Sequence, residues 1–263
     1  MLKKYALPMT LAGFCATHAV AASAADDGRW STTIWAGALF NPGGTMQFAT
    51  TGSIADLGTL DPGFADESAS TSIRRLSFPD VFRGGETLGA EFAYHTGESL
   101  EPFARVSFSR LSGRRTTVGD ITAEALASPA AISVNYDESN SAALTLGANY
   151  FFAESGIVQP FITGFIGADH ADALHADVAV DSFGHDFDRQ TVIPKNTRFV
   201  AGLQGGVSCR LGQSSDLKFS IGAEHVAADD IESTFLGPVG VSAIRIDQSP
   251  WSFPAEIGLN YRF

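Results

Sequence analysis

The sequence predicts an all-β fold: an eight-stranded antiparallel up-and-down transmembrane β-barrel with long extracellular loops and short periplasmic turns. Three observations carry that prediction. The first is Trp251 to Phe263. Here Trp251, Phe253, Ala255, Ile257, Leu259, Tyr261 and Phe263 alternate with Ser252, Pro254, Glu256, Gly258, Asn260 and Arg262. Period-two patterning marks a strand with one apolar and one polar face, and the stretch covers the roughly 9–11 residues of a tilted membrane strand. Glu256 and Arg262 on the polar face suit a barrel that turns its apolar side to lipid and its charged side to the lumen, the inverse of a soluble barrel. Aromatic residues stand at both ends of the apolar face, where an interfacial girdle would place them. The second observation is an export signal at the start of the chain. The third is a regular alternation of long and short connections between strands.

Residues 1–25 read as a cleaved secretory signal, and residues 26–263 as the barrel. Lys3 and Lys4 make a positive start, Leu7 to Val20 is mostly apolar, and Ala22-Ser23-Ala24 fits a small-x-small cleavage site, with cleavage after Ala24 or Ala25. Phe14 stands before Cys15, where a lipoprotein signal needs a small residue. The apolar run is shorter than the ~20 residues of a spanning helix. Loss of the signal leaves Cys209 as the one cysteine, so the mature fold has no intrachain disulfide. The hydrophobic fraction is 44%, ordinary because only alternate residues of a membrane strand meet lipid. A net charge of −12 argues against nucleic acid as a partner.

Trp30 to Phe40 is the first strand; its facing stays open, since Ile34, Ala36 and Ala38 compete with Trp35 and Leu39. Asn41 to Glu86 follows as a long polar loop. Thr87 to Thr96 is the second strand, with Leu88, Ala90, Phe92 and Tyr94 outward. A tight turn, Gly97-Glu98-Ser99, leads into the third, Leu100 to Ser109, with Ala104, Val106 and Phe108 outward and Phe103, Arg105 and Ser107 inward. A three-residue turn sets Thr96 opposite Leu100 and therefore Glu91 opposite Arg105, a carboxylate–guanidinium pair inside the barrel. Leu111 to Asn140 is the second long loop. Ser141 to Phe152 is the fourth strand, with Leu144, Leu146, Ala148, Tyr150 and Phe152 outward. After a turn at 153–156 comes the fifth, Val158 to Ala168, whose facing is also open because Phe161 and Phe165 compete with Ile162 and Ile166. Asp169 to Lys195 is the third long loop. Asn196 to Leu211 and Leu217 to Ala227 are strands six and seven, joined by a short turn, and Ala228 to Pro250 precedes the last strand.

The inward charged set is Glu91, Arg105, Arg198, Arg210, Glu224, Glu256 and Arg262, with Gln204 among them. Glu224 and Glu256 are expected at similar heights on neighbouring strands, where like charges need a cation partner. Two readings of the set stand open: a charged constriction that controls ion passage, or a plug of salt bridges that fills a narrow barrel. His170, His175 and His185 lie among six aspartates in the third loop. Imidazole and carboxylate together suit a divalent ion, but the irregular spacing makes a solvated acidic loop the plainer reading, and no metal or other cofactor is expected. Arg74, Arg75, Arg114 and Arg115 are loop cations suited to phosphate groups.

The closing Leu259-x-Tyr261-x-Phe263 and the strand Pro160-Phe161-Ile162-Thr163-Gly164-Phe165-Ile166-Gly167 resemble the OmpA-type, opacity-protein and OmpW-like small outer-membrane barrels. The resemblance implies that Leu259, Tyr261 and Phe263 form the signal read by the barrel-assembly machinery. It also implies a place in the bacterial outer membrane with both termini periplasmic, among lipid and lipopolysaccharide. OmpA's peptidoglycan-binding role is not expected, because this chain ends at the barrel. Some relatives modify lipid A, but the residue two beyond His225 is Ala227, so the His-x-Ser arrangement of the deacylases is absent. The expected role is a non-enzymatic structural or surface-exposed barrel. A narrow channel for ions or small solutes comes second, and a lipid A-modifying enzyme third.

Overall fold

A computed structural model describes residues 30–96, 99–152 and 156–263. The expected signal over residues 1–25 lies outside the described residues, as do 97–98 and 153–155 in two of the expected turns. Eight strands form the barrel: β1 (Trp30–Gly43), β2 (Phe82–Tyr94), β3 (Leu100–Gly113), β4 (Ser139–Phe151), β5 (Val158–Ala171), β6 (Asn196–Arg210), β7 (Ser215–Ala227) and β8 (Trp251–Arg262). Each pairs antiparallel with its sequence neighbours, and β8 returns to β1 from Ser31↔Arg262 to Phe40↔Phe253, so the sheet closes. Closure satisfies every strand edge, as a sheet in hydrocarbon requires.

The outer face is apolar. Leu203 is 72% exposed and Ile221 69%, and Ile34, Leu144, Leu146, Ile166 and Ile257 stand beside them. A continuous apolar surface of this extent calls for lipid. Near the turns, Trp30 stacks on Phe92 at 4.9 Å and meets Tyr94 at 4.6 Å, Phe263 joins Phe92 and Tyr261, and around the barrel Tyr150 meets Phe152 at the end of β4. Near the loops, His225 packs on Trp251 at 4.6 Å, and Phe40 and Phe253 are exposed. These are two aromatic girdles around an apolar band.

The two strands whose facing the sequence leaves open are settled by what fills the lumen. Trp35 and Leu39 of β1, and Phe161 and Phe165 of β5, are buried inside; Ile34, Ile162 and Ile166 face out. Four inward rings sit opposite a glycine on the next strand: Trp35 on Gly89, Phe103 on Gly147, Phe161 on Gly206, Phe165 on Gly202. A Cβ at Gly202 would lie 2.3 Å from the Phe165 ring, and one at Gly89 2.6 Å from the Trp35 ring. The rings occupy the space that the glycine side chains leave, an aromatic cover over glycine that supports strand pairing.

The expected polar loops are instead a folded cap. Segments of the first three loops make a six-stranded antiparallel sheet in the order His185–Ile193, Leu174–Val180, Ala130–Tyr136, Arg115–Thr122, Ala69–Ile73, Thr50–Ile54. The first and fourth loops make a second sheet, Ile231–Ser233, Ile244–Ile246, Thr45–Gln47, Leu76–Ser77. Both share one core, in which Met46, Leu57, Val118, Ile132, Val178, Leu236 and Ile246 are fully buried. The patterning that builds it is short but regular. Leu174, Ala176, Val178 and Val180 point inward, with His175, Asp177 and Ala179 between them. Ala69, Thr71 and Ile73 do the same between Ser70 and Ser72. Polar groups fix the ends. Asp56 and Asp61 accept from Gly58 N and Gly63 N, each at 2.8 Å. Ser77 donates from N and Oγ to Asp80, opening the helical turn Phe78–Val81. Hydrogen bonds from Ser77 hold the Asp80 carboxyl below its ordinary pKa.

Replacing Gly202 with Ala should destabilise the barrel by roughly 1–3 kcal/mol, the usual cost of overpacking a filled interior. Gly205→Ala, where a Cβ would meet nothing within 4 Å, should leave it unchanged. Urea unfolding in detergent, followed by the heat-dependent shift on a gel, reads the difference.

Candidate functional site: the charged lumen

Inward residues of β2 to β8 meet in one hydrogen-bonded network. At its centre Glu91 faces Arg105 across β2 and β3, as the register of that hairpin dictates. Arg105 donates to Glu91 Oε2 from Nε at 3.1 Å and Nη2 at 2.7 Å, and its Nη1 lies 3.4 Å from Glu256. The other Glu91 oxygen receives Asn149 Nδ2 at 3.1 Å and lies 3.5 Å from Lys218 Nζ. Lys218 and Asn149 both also donate to Glu101, at 3.2 and 3.1 Å. Thr163 donates to Asn149, and Gln204 and Ser220 donate to Glu256. The guanidinium of Arg105 lies over the faces of Trp35, Phe103 and Phe165, 5.1–5.7 Å from the ring centres. Burying such charges is costly unless each lone pair and proton finds a partner, and Glu91 has partners on both oxygens.

Two smaller groups flank this centre. Toward the turns, Arg262 pairs with Asp216 at 2.5 Å, Asn260 donates to Asp216, and Thr33 of β1 donates to Asn260 at 2.9 Å. Toward the loops, Arg198 pairs with Asp169.

Glu91, Arg105, Gln204 and Glu256 thus come together, while Arg198 and Arg262 each hold a separate carboxylate. Arg210 does not join the lumen. It has inward parity but is the last residue of β6, exposed at the rim. Glu224 and Glu256 are not level either: Glu256 pairs with Ser220, and Glu224 with Ser252, four residues nearer the loops. Their heights depend on where β7 and β8 end, which patterning alone does not fix. Lys218 and Glu101 are central to the network, yet sequence reasoning misses them. They share parity with Ser220 and with Arg105, so carrying the inward face further toward the turns finds both.

Two cavities of about 20 Å³ flank Arg105, each with room for about one water. His170 is not in a loop: it lies in β5 of the barrel and meets Thr197 of β6 at 2.9 Å, whereas in the cap His175 lies 3.3 Å from Thr191 and His185 packs on Phe187. Among the described residues no three His, Cys, Asp or Glu converge as metal ligands. Arg74, Arg75, Arg114 and Arg115 are exposed on the cap. Arg115 pairs with Asp181, Arg75 donates to Thr45, and Arg114 donates to the Pro79 carbonyl. Leu259 and Tyr261 lie on the lipid face, 54% and 53% exposed.

No family model and no curated protein matches the chain. Among solved structures it is similar to Neisserial surface protein A, at 13% identity over 90% of this chain and 98% of that one, TM-score 0.38. A major outer membrane protein of Thermus thermophilus has 11% identity over 89% and 99%, TM-score 0.43. The outer membrane protease OmpT of Escherichia coli has 10% over 89% and 97%, TM-score 0.36. The architecture rests on the chain's own geometry: a closed eight-stranded antiparallel sheet, apolar outside and charged within, is that of the small outer-membrane barrels.

Lys218→Met should cost about 3–5 kcal/mol, because Glu101 and Glu91 both lose their ammonium in a buried site. Arg210→Ala should change stability by less than about 0.5 kcal/mol, as for an ordinary exposed residue. Equilibrium unfolding in lipid vesicles separates the two.

Proposed function

We propose that this protein is a non-enzymatic barrel of the bacterial outer membrane whose sealed lumen supports a folded cap, and that the cap is its working surface. One observation carries the reading: all four long loops contribute to a single buried core. Mobile loops would not build such a core; a platform that meets the outside in one fixed shape does. In this reading the cap faces outward, the short turns and both termini lie in the periplasm, and the girdles seat in lipid and lipopolysaccharide. Leu259, Tyr261 and Phe263 serve the barrel-assembly machinery.

The lumen supports the sealed alternative over the narrow channel. Arg105, held by Glu91 and Glu256 between aromatic rings, stands between two one-water cavities. Catalysis has less support: His225 packs against Trp251 with Ala227 two residues on.

The refolded mature protein should give no discrete conductance steps in a planar bilayer; steps in the wild type would overturn the sealed reading. Val178→Asp, which buries a charge in the cap core, should open the loops to protease in intact cells. The barrel should still show its heat-dependent gel shift. A cap that stays resistant, or a barrel lost with it, would sink the idea of a separately packed platform.

A further inference from the structure

The cavity on the loop side of Arg105 is lined by Trp35, Ser107, Thr145, Glu224 and Glu256 among others. Three of its groups lack the partner that a buried polar atom needs. Thr145 is 3% exposed, and its Oγ1 has no hydrogen-bond partner among the described residues. Trp35 Nε1 is likewise buried and unpartnered. Glu224, part-buried on β7, makes no hydrogen bond or ion pair with a described residue, although Glu91, Glu101 and Glu256 all do.

The charges here do not balance. Arg198 and Asp169 pair off toward the loops, and Arg262 and Asp216 toward the turns. Between them lie four carboxylates, Glu91, Glu101, Glu224 and Glu256, against two cations, Arg105 and Lys218. An uncompensated negative charge inside a barrel, away from bulk water, is costly.

We propose that Glu224 and Thr145 bind a single alkali cation, sodium or potassium, in this cavity. The available ligands are carboxylate and hydroxyl oxygens, hard donors that suit such ions and not soft metals. The cavity has room for about one water-sized body, too little for magnesium, which keeps several of its waters. A water alone would satisfy Thr145 but leave the Glu224 carboxylate with no cation in direct contact, Arg105 and Arg198 acting on it only from a distance. Trp35 lines both cavities, so its N–H suits a water in the second one. The cation would complete the lumen's charge balance without opening it.

The test is thermal unfolding of the refolded mature protein in detergent at mildly alkaline pH. Sodium or potassium chloride is compared with choline chloride at equal ionic strength, since choline is too large for the cavity. The wild-type midpoint should rise by a few degrees and saturate with at least one alkali chloride. Glu224→Gln should lose that rise and unfold in choline no earlier than the wild type, because its carboxamide needs no counter-ion. Thr145→Val should need more salt for the same rise. Equal wild-type midpoints in choline and in both alkali salts would overturn the proposal. So would a rise that survives in Glu224→Gln, or one that magnesium gives and the alkali ions do not.

Discussion

Closure is the constraint on which the rest of this structure depends. A sheet in hydrocarbon has no water to satisfy its edges, so β8 must find β1. With eight strands the enclosed space is only about as wide as the side chains that point into it. Inward residues must therefore fill that space and satisfy one another. The aromatic rings over Gly89, Gly147, Gly202 and Gly206 answer the first demand. The chain of contacts from Thr163 through Asn149 and Glu91 to Arg105 and Glu256 answers the second. Arg105 serves both, with its guanidinium among three rings and its protons on two carboxylates.

The network also specifies what the lipid face leaves open. A one-residue slip between neighbouring strands turns apolar side chains inward and charges outward, and lipid penalises it heavily. A two-residue slip keeps every face correct and costs little on the outside. Inside, such a slip between β2 and β3 would carry Glu91 away from Arg105. Between β5 and β6 it would set Phe165 against Gln204 or Val200 in place of Gly202, with a side chain where the ring needs space. Buried ion pairs are weak sources of net stability beside apolar packing. In a barrel of strict alternation their larger contribution is the choice of register.

The same division explains what could be read from the sequence. Six strands declare their facing because one side is aliphatic or aromatic and the other is mostly Gly, uncharged polar or charged residues, Phe103 of β3 standing among them. β1 and β5 do not, because their lumen side carries Trp35, Leu39, Phe161 and Phe165. The Glu91–Arg105 pair is legible because a short turn fixes its register; the offset of Glu224 from Glu256 is not, because strand ends set it. The cap escapes notice for another reason. Its strands run from two to nine residues and are rich in Ser, Thr, Ala and Gly, so alternation at Leu174 to Val180 is overshadowed by His175 and Asp177 on the opposite face. Read without the strand, those side chains suggest a metal loop; they are the outer side of a sheet.

The cap, finally, depends on the barrel for its existence. Strands this short are marginal alone, and the six-stranded sheet takes two from each of three loops. No single loop holds a core. The closed barrel supplies what they lack, since it fixes both ends of every loop within one rim and removes much of the entropy cost of bringing them together. Thr71 then reaches the Val239 carbonyl at 2.7 Å, and Tyr136 reaches Gln47 across the two sheets. A surface built this way is ordered before it meets anything. A partner that binds it need not meet the ordering cost that a mobile loop imposes, and its outward residues can vary while Ile132, Val178 and Leu236 hold the shape.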